Sequence, residues 1–220
     1  MSDAGYNSKS SQYYTSARPE MLPFVPADTK TVLEVGCGGA DFAALLKAER
    51  GVNVTAIEAY PAAAEVARSR VDRLLAGSLE DSLRELAGER FDCIVMNDVL
   101  EHLVDPWAAL RGLAGVLAPS GSFVASIPNV RYMPVFKEYL LEGQWRYRSD
   151  GVMDETHLRF FSARSMRDLF SSSGYRVVRH EGINPTKFPW KFALLNRLMG
   201  GSLADTRFKQ FACVAVPAAA

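Results

Sequence analysis

The sequence has few residues of several kinds, and each shortage excludes a class of protein. Its three cysteines, Cys37, Cys93 and Cys213, are too widely spaced for a disulfide framework or a zinc site. Twenty-five basic residues balance twenty-five acidic residues, so there is no overall positive field to attract nucleic acid or an anionic membrane. No uninterrupted apolar run is long enough to span a bilayer.

The first twelve residues are polar and lack the apolar core of a secretory signal, so we expect a cytoplasmic protein. A hydrophobic content of 48% and a charged content of 23% are typical of a globular domain. The 220 residues are enough for one such domain. We predict it over residues 29–216, preceded by a lid or cap segment over residues 1–28.

Short apolar runs alternate with helical patterns as far as residue 128. The predicted strands are residues 31–35, 52–57, 73–76, 91–97 and 121–128, followed later by 175–180 and 208–216. A helical pattern follows most of the early strands, and the one that begins at Pro106 is predicted to run through Leu117. This alternation predicts an α/β fold with a parallel sheet and right-handed crossovers.

The stretch that organises the chain is the glycine turn after the first strand. Gly36 and Gly38 separate a buried strand pattern from a helix start, which is typical of the nucleoside- or phosphate-binding corner of an open α/β sheet. Glycine suits this turn because a Cβ would resist its backbone angles and keep a ligand at a distance. Asp41 stands where a dinucleotide-binding fingerprint would have its third glycine, which disfavours a nicotinamide oxidoreductase.

Two motifs carry a resemblance to a known family. Glu34-x-Gly36-x-Gly38-x-Ala40 resembles motif I of class I S-adenosylmethionine (SAM) dependent methyltransferases, and the LEHL-DP core within residues 97–107 is similar to the signature that follows their fourth strand. The resemblance implies a Rossmann-like fold with seven mostly parallel strands, an antiparallel last strand and helices on both faces. It also implies SAM as cofactor, with a non-catalytic SAM-fold binding subunit as an alternative.

The cofactor contacts follow from spacing and from the resemblance. Glu58 ends the second strand about twenty residues after the glycine turn, the spacing at which a carboxylate accepts both ribose hydroxyls. The family implies that Ser78 or backbone binds the adenine amino group, that Leu79 packs on the adenine, and that a tyrosine before the turn covers SAM. The predicted cofactor-binding residues are Tyr14, Glu34, Gly36, Cys37, Gly38, Glu58, Ala59, Ser78, Leu79, Asn97 and Asp98.

Residues 129–161 interrupt the alternation with an insertion that is rich in aromatic residues and arginine. An insertion after the carboxyl end of a strand lies beside the cofactor, so we expect it to select the acceptor. Its segment 145–148 has three interpretations: aromatic rings that stack on a sugar, arginines that bind phosphate, or a lid that seals the sheet.

The end of this insertion suggests an acceptor. The string Asp154-x-Thr156-His157-Leu158-Arg159-Phe160-Phe161 resembles a segment of methyltransferases of bacterial surface polysaccharide and O-antigen biosynthesis. The resemblance implies O-methylation of a sugar, nucleotide-sugar or other glycan hydroxyl, and another small molecule such as a quinone precursor is the alternative. His157 is the candidate base, Asp154 or Glu155 its orienting partner, and His102 a further candidate. His157 also has a structural alternative, in which it caps the following helix or fixes the loop to the sheet.

A cation site competes with this interpretation. Asp98, Glu101 and His102 with a distant His157 look like the E-x-x-E-H set by which small-RNA and some quinone-pathway methyltransferases bind a divalent cation. Oxygen and imidazole ligands would suit Mg²⁺ or Mn²⁺. Relatives without a metal carry the same LEHL-DP string, so our prediction is a site without metal. Finally, the apolar helix pattern within residues 183–205 covers a sheet edge or forms a homodimer contact.

Overall fold

The computed structural model describes residues 17–218. The predicted Tyr14 contact and most of the cap segment over residues 1–28 lie outside the described residues. Residues Pro19–Phe24 of that segment form a short 3-10 helix that buries Met21 and Phe24. No helix within residues 17–218 is long and apolar enough to cross a membrane.

Seven strands form one sheet in the order β3-β2-β1-β4-β5-β7-β6. They are β1 (Thr31–Val35), β2 (Asn53–Glu58), β3 (Arg73–Ala76), β4 (Phe91–Asn97), β5 (Leu117–Pro128), β6 (Tyr175–Pro185) and β7 (Phe208–Pro217). The first five strands pair in parallel, whereas β7 is antiparallel to both β5 and β6. The predicted Rossmann-like sheet, mostly parallel with an antiparallel last strand, is confirmed.

Helices follow the strands. They are α1 (Asp41–Arg50), α2 (Pro61–Ala67), α3 (Leu79–Glu85), α4 (Pro106–Leu113), α5 (Met133–Lys137), α6 (Ala163–Ser172) and α7 (Trp190–Leu198), with 3-10 turns at Leu100–His102 and Ala204–Arg207 and a π turn at Glu138–Glu142. The prediction that the helix after Pro106 runs through Leu117 was wrong. Gly112 and Gly115 favour i→i+3 bonds in place of a further α turn, so α4 ends at Leu113 and Leu117 begins β5.

Alternating side chains on the strands divide the core into two layers. Leu33 and Val35 on β1 join the cluster that contains Leu110 of α4, whereas Val32 joins the cluster that contains Leu46 of α1. This period of two buries both faces of the sheet, as expected for parallel strands covered by helices on each side. The predicted three-layer arrangement is therefore present.

The carboxyl ends of the parallel strands, the insertion and the β6–β7 connection meet at one edge of the sheet. Pro128 at the end of β5 lies opposite Gln210 of β7, and Pro185 at the end of β6 lies opposite Phe208. In open α/β sheets this edge is where ligands bind.

Candidate functional site

A cavity of about 1170 Å³ opens at this edge of the sheet. It is larger than the roughly 300–1,000 Å³ of a typical ligand pocket, so it has room for more than one small ligand. The predicted site residues that line it are Glu34, Gly36, Cys37, Gly38, Glu58, Ala59, Ser78, Leu79, Asn97, Asp98, Glu101, His102, Asp154 and His157. Glu155, the other orienting partner considered for His157, and residues 145–148 of the insertion do not line it.

The glycine turn has the geometry that the sequence predicted. Gly36 and Gly38 have φ angles of 67° and 55°, in the left-handed region that favours glycine. A Cβ on Gly36 would lie 2.7 Å from Cγ2 of Val99, so the turn has no space for a side chain there. Ala40, where the family more often has glycine, adopts φ 59° as the N-cap of α1. The turn therefore keeps its shape despite this substitution.

Glu58 joins the end of β2 to the glycine turn. Its Oε2 accepts a hydrogen bond of 2.7 Å from the backbone N–H of Gly38, and its Oε1 accepts one of 2.8 Å from Tyr60. Burial raises the pKa of Glu58, and these two backbone donors oppose the rise. Because a carboxylate oxygen can accept two hydrogen bonds, Glu58 can brace the turn and still bind the hydroxyls of a ribose.

Glu34 is a buried acid beneath the glycine turn, with 3% of its surface exposed. Burial raises its pKa to about 8. Its Oε2 accepts no hydrogen bond from any residue of the described range. A buried oxygen of this kind is costly, so a hydrogen-bond donor on a ligand would stabilise it. Glu34 thus fits a cofactor that carries an amino group.

The neighbouring strand end offers a second unsatisfied polar group. Both Nδ2 and Oδ1 of Asn97 are buried and lack hydrogen-bond partners among residues 17–218. The Ser78 hydroxyl, by contrast, caps α3: it accepts from the Asp81 N–H at 3.1 Å and donates to Asp81 Oδ2 at 2.7 Å. Of the two predicted adenine contacts at Ser78, this geometry favours the backbone over the hydroxyl.

Arg18 is a cavity residue that sequence reasoning missed. Its Nη1 forms an ion pair with Oδ2 of Asp98, while Oδ1 of Asp98 accepts hydrogen bonds from Ser126 Oγ at 2.9 Å and Gln210 Nε2 at 2.7 Å. Asp98 is therefore fixed by three side chains and is absent from the cluster that could hold a cation. No local pattern marks Arg18 or Gln210, because they lie 80 and 112 residues from Asp98 in the chain.

Glu101, His102 and His157 form a buried cluster in the same cavity. One possible ligand atom from each lies within 4.8 Å of the others, and His157 Nε2 is 3.9 Å from Glu101 Oε1. Burial, with a smaller contribution from the charge of Asp98, raises the pKa of Glu101 well above its usual value. Burial, followed by the charge of His157, lowers the pKa of His102 to about 4, so His102 is neutral near pH 7.

The hydrogen bonds of His157 determine which ring nitrogen faces Glu101. Nδ1 lies 3.0 Å from the carbonyl oxygen of Val152, which only accepts, so Nδ1 carries a proton and Nε2 points towards Glu101. Oδ1 of Asp154 accepts from the N–H and hydroxyl of Thr156, at 2.8 and 2.7 Å. Asp154 thus shapes the loop through Thr156, and Val152 supplies the contact to Nδ1 that the sequence assigned to an acid.

Cys37 also lines the cavity, next to the two buried acids of the turn. Cys37, Cys93 and Cys213 are all buried and free. Burial, with smaller contributions from Glu34 and Glu58, raises the pKa of the Cys37 thiol far above its usual value.

The sheet order defines a Rossmann-like class I methyltransferase fold, and the glycine turn and the acid at the end of β2 line one cavity in it. The sequence model of a family described as a methyltransferase domain matches residues 6–180. The chain belongs to this family, and S-adenosylmethionine is its cofactor. The unsatisfied atoms of Glu34 and Asn97 fit such a ligand.

Curated relatives are enzymes of quinone synthesis. The chain is 28% identical over 177 residues to a ubiquinone biosynthesis O-methyltransferase of Cereibacter sphaeroides, covering 77% of this chain and 70% of that protein. It is 38% identical over 123 residues to the enzyme of that name from Xanthomonas axonopodis pv. citri, covering 53% of this chain and 48% of the other. The expected link to polysaccharide synthesis is not supported by these names.

Solved structures share the fold. A SAM-dependent methyltransferase from Archaeoglobus fulgidus superposes with a TM-score of 0.65 at 15% identity, covering 94% of both chains. A SAM-dependent methyltransferase of Thermotoga maritima, described as a possible histamine N-methyltransferase, gives 0.61 at 20% identity, covering 93% of this chain and 88% of that one. At these identities the likeness concerns the fold alone.

Proposed function

We propose that the chain is an O-methyltransferase that acts on a hydroxyl group of a small molecule. The observation that carries this proposal is the shared cavity, which is lined both by the glycine turn with Glu58 and by the Glu101–His157 pair. When bound, SAM supplies an electrophilic methyl group on a sulfonium sulfur. A hydroxyl acceptor must lose its proton as it reacts, so a base in the same cavity favours oxygen as the acceptor atom.

The residues would divide the work as follows. Glu58 binds the ribose of SAM, Glu34 binds its amino group, and Asn97 binds its adenine ring. Nε2 of His157 takes the proton from the acceptor hydroxyl, because Nδ1 is already protonated against Val152. Oε1 of Glu101 lies 3.9 Å from Nε2, and the positive charge of the imidazolium that results opposes the burial that raises the pKa of Glu101. Holding the acceptor beside the cofactor supplies much of the acceleration.

Two classes of acceptor are consistent with this site. The phenolic hydroxyl of a quinone precursor is favoured by the names of the curated relatives. A sugar hydroxyl is favoured by the aromatic cluster beside His157, in which the rings of Trp145 and Phe160 are 5.1 Å apart and those of His157 and Phe160 are 6.2 Å apart. Aromatic faces bind planar rings and sugars alike, so turnover must distinguish the two.

A divalent cation is a second candidate feature of the site. Both oxygens of Glu101 lack hydrogen-bond donors in the described part of the chain, and two imidazoles lie beside them. Glu101, His102 and His157 would hold the ion, which would lower the pKa of a bound hydroxyl. Asp98, the fourth residue of the sequence pattern, pairs with Arg18 instead. Thermal stability with and without Mn²⁺ or Mg²⁺, after a chelator, tests this feature independently of turnover.

The experiment that tests the function uses the full chain, SAM, and either a catechol such as 3,4-dihydroxybenzoate or a nucleotide sugar such as UDP-glucose. Mass spectrometry detects the methylated product, and calorimetry measures SAM affinity. We expect His157→Gln to lower kcat roughly 100-fold or more, since general base catalysis contributes about that much. SAM affinity should not change. His180→Gln is the matched control, because His180 lies on β6 and bonds to Arg167.

Three outcomes distinguish the alternatives. Full turnover by His157→Gln would make His157 structural and remove the base from the proposal. SAM binding without turnover of hydroxyl acceptors would favour the non-catalytic binding subunit. Product from only one acceptor class would identify the substrate. The homodimer and the cytoplasmic location also stay proposals, and sedimentation velocity tests the first of them.

A further inference from the structure

The connection between β6 and β7 carries features that the proposed function does not use. Residues 186–207, which join the two strands, include the cations Lys187, Lys191, Arg197 and Arg207 and a single acid, Asp205, which pairs with Arg131 of the insertion. The zero net charge of the whole chain therefore conceals a locally cationic segment. Most of its apolar side chains are also exposed, and α7 lies at its centre.

One side of α7 is fixed to its own loop. Phe188 and Phe192 form an edge-to-face pair with ring centroids 4.9 Å apart, and Oδ1 of Asn196 accepts the N–H of Leu203 at 2.8 Å. Phe192 and Asn196 are four residues apart in α7 and lie on one face of the helix, whereas Phe188 precedes the helix. Their contacts determine which face of α7 points outward.

The exposed surface of α7 is mostly apolar: Leu195 and Met199 are 44% and 50% exposed, and three more exposed apolar residues form a stripe with a cation on each side. Trp190, Leu194 and Leu198 are 72%, 53% and 77% exposed. At 3.6 residues per turn these three positions fall within about 80° of the helix circumference, and Lys191 and Arg197 fall just outside that arc. A tryptophan and leucines between lysine and arginine are the pattern of a helix that lies in a membrane interface.

A second exposed apolar segment extends from the same edge of the sheet. Tyr139, Leu140 and Leu141 in the π turn of the insertion are 53%, 58% and 74% exposed. The insertion is joined to the β6–β7 connection through Arg131, whose Nη2 donates to the carbonyl of Ser202 at 2.7 Å. The two exposed segments are thus parts of one edge of the molecule, which is also the edge where the cavity opens.

We propose that α7 binds the surface of an anionic lipid bilayer, and that the apolar side chains between Glu138 and Glu142 of the π turn, whose Glu138 pairs with Arg146 and Arg148, contact the same surface. The apolar side chains enter the boundary between headgroups and acyl chains, and Lys187, Lys191 and Arg197 contact the acidic headgroups. This places the open edge of the cavity next to the lipid surface. The proposal goes beyond the proposed function and is independent of it, because it concerns where the protein is bound and not what it methylates.

Charge favours a lipid surface over a second copy of the chain. In a symmetric dimer formed through α7, the same patch of each copy would meet the other. Lys191 and Arg197 of one protomer would then lie against the same cations of its partner, and the single acid of residues 186–207, Asp205, already pairs with Arg131. An anionic bilayer neutralises these cations and accepts the apolar face at the same time.

Vesicle flotation of the full chain tests the proposal. We expect binding to phosphatidylcholine vesicles that contain phosphatidylglycerol, weaker binding to phosphatidylcholine alone, and release as salt is raised. The double variant Lys191→Gln/Arg197→Gln should bind about 25-fold more weakly, since each cation contributes about fivefold near an anionic surface. Lys30→Gln is the matched control, because Lys30 is exposed at the start of β1, on the opposite edge of the sheet.

A second measurement identifies the face that binds. Brominated lipids should quench the fluorescence of the wild-type chain, and Trp190→Phe should lose most of that quenching while remaining bound. Three results would overturn the proposal: no flotation with anionic vesicles at low salt, equal flotation of the double variant and the wild type, or a dimer in sedimentation that Leu198→Glu dissociates. The last result would assign α7 to a second copy of the chain.

Discussion

Removing the Glu58 carboxylate should weaken SAM binding strongly while the fold stays intact. If Glu58 accepts both ribose hydroxyls, Glu58→Ala removes two hydrogen bonds to a charged group, each of which contributes about 1.5–3 kcal/mol. The smaller figure gives a loss of about 3 kcal/mol, which is roughly a 100-fold rise in Kd. Glu58→Gln keeps the shape and one acceptor oxygen, so about a tenfold rise is expected.

Glu58 also braces the glycine turn through Gly38 and Tyr60, so the assay must separate that role from ribose binding. Calorimetry with S-adenosylhomocysteine and its 2′-deoxy analogue does so. Loss of the hydroxyl should weaken binding to the wild type and have little effect on binding to Glu58→Ala. Glu65→Gln on α2 is the control, because 78% of that side chain is exposed. The assignment would be refuted if removal of the hydroxyl weakened binding to wild type and to Glu58→Ala equally. It would also be refuted if Glu58→Ala bound S-adenosylhomocysteine as tightly as the wild type does.

Two further predictions concern the turn and the acid beneath it. Gly36 and Gly51 both have a φ near 65°, so Gly36→Ala and Gly51→Ala should each lower the free energy of unfolding by about 1–2 kcal/mol. Only Gly36→Ala brings a Cβ against Val99, so it should lose more stability than Gly51→Ala. It alone should weaken SAM binding, as measured by calorimetry. The pKa of Glu34 is about 4.5 in the unfolded chain and about 8 in the folded chain, so folding takes up a proton at any pH between these two pKa values. The free energy of unfolding of the SAM-free chain should therefore fall as the pH rises from 4.5 to 8. Glu34→Gln should flatten that slope in denaturant titrations at several pH values, and an unchanged slope would contradict the burial of a carboxyl group there.

Local spacing made half of the cavity predictable from sequence. Gly36, Gly38 and Glu58 belong to one strand-turn-helix-strand unit, whose geometry depends little on the rest of the chain. The Ser162 cap of α6 was predictable for the same reason, and it forms a capping box with Ser165. Where a turn, a cap and a strand end are neighbours in sequence, residue chemistry and spacing are sufficient.

Long-range contacts were not predictable in this way. Arg18 and Gln210 reach Asp98 only because β7 inserts between β5 and β6 and the N-terminal 3-10 helix packs under α1. The pairing of Glu101 with His157 depends on an insertion whose path no periodicity predicts. The sequence offered Asp154 or Glu155 as the orienting partner of His157, and nothing in it indicated that the carbonyl oxygen of Val152 lies 3.0 Å from Nδ1.

The buried thiol of Cys37 has a consequence for an enzyme that holds an alkylating agent. A sulfur nucleophile beside a sulfonium would be methylated in place of the acceptor if it were ionised, because the thiolate is the reactive form of cysteine. Burial and two neighbouring acids keep Cys37 protonated. The two acids that we propose as cofactor ligands would thereby also protect the enzyme from inactivating itself.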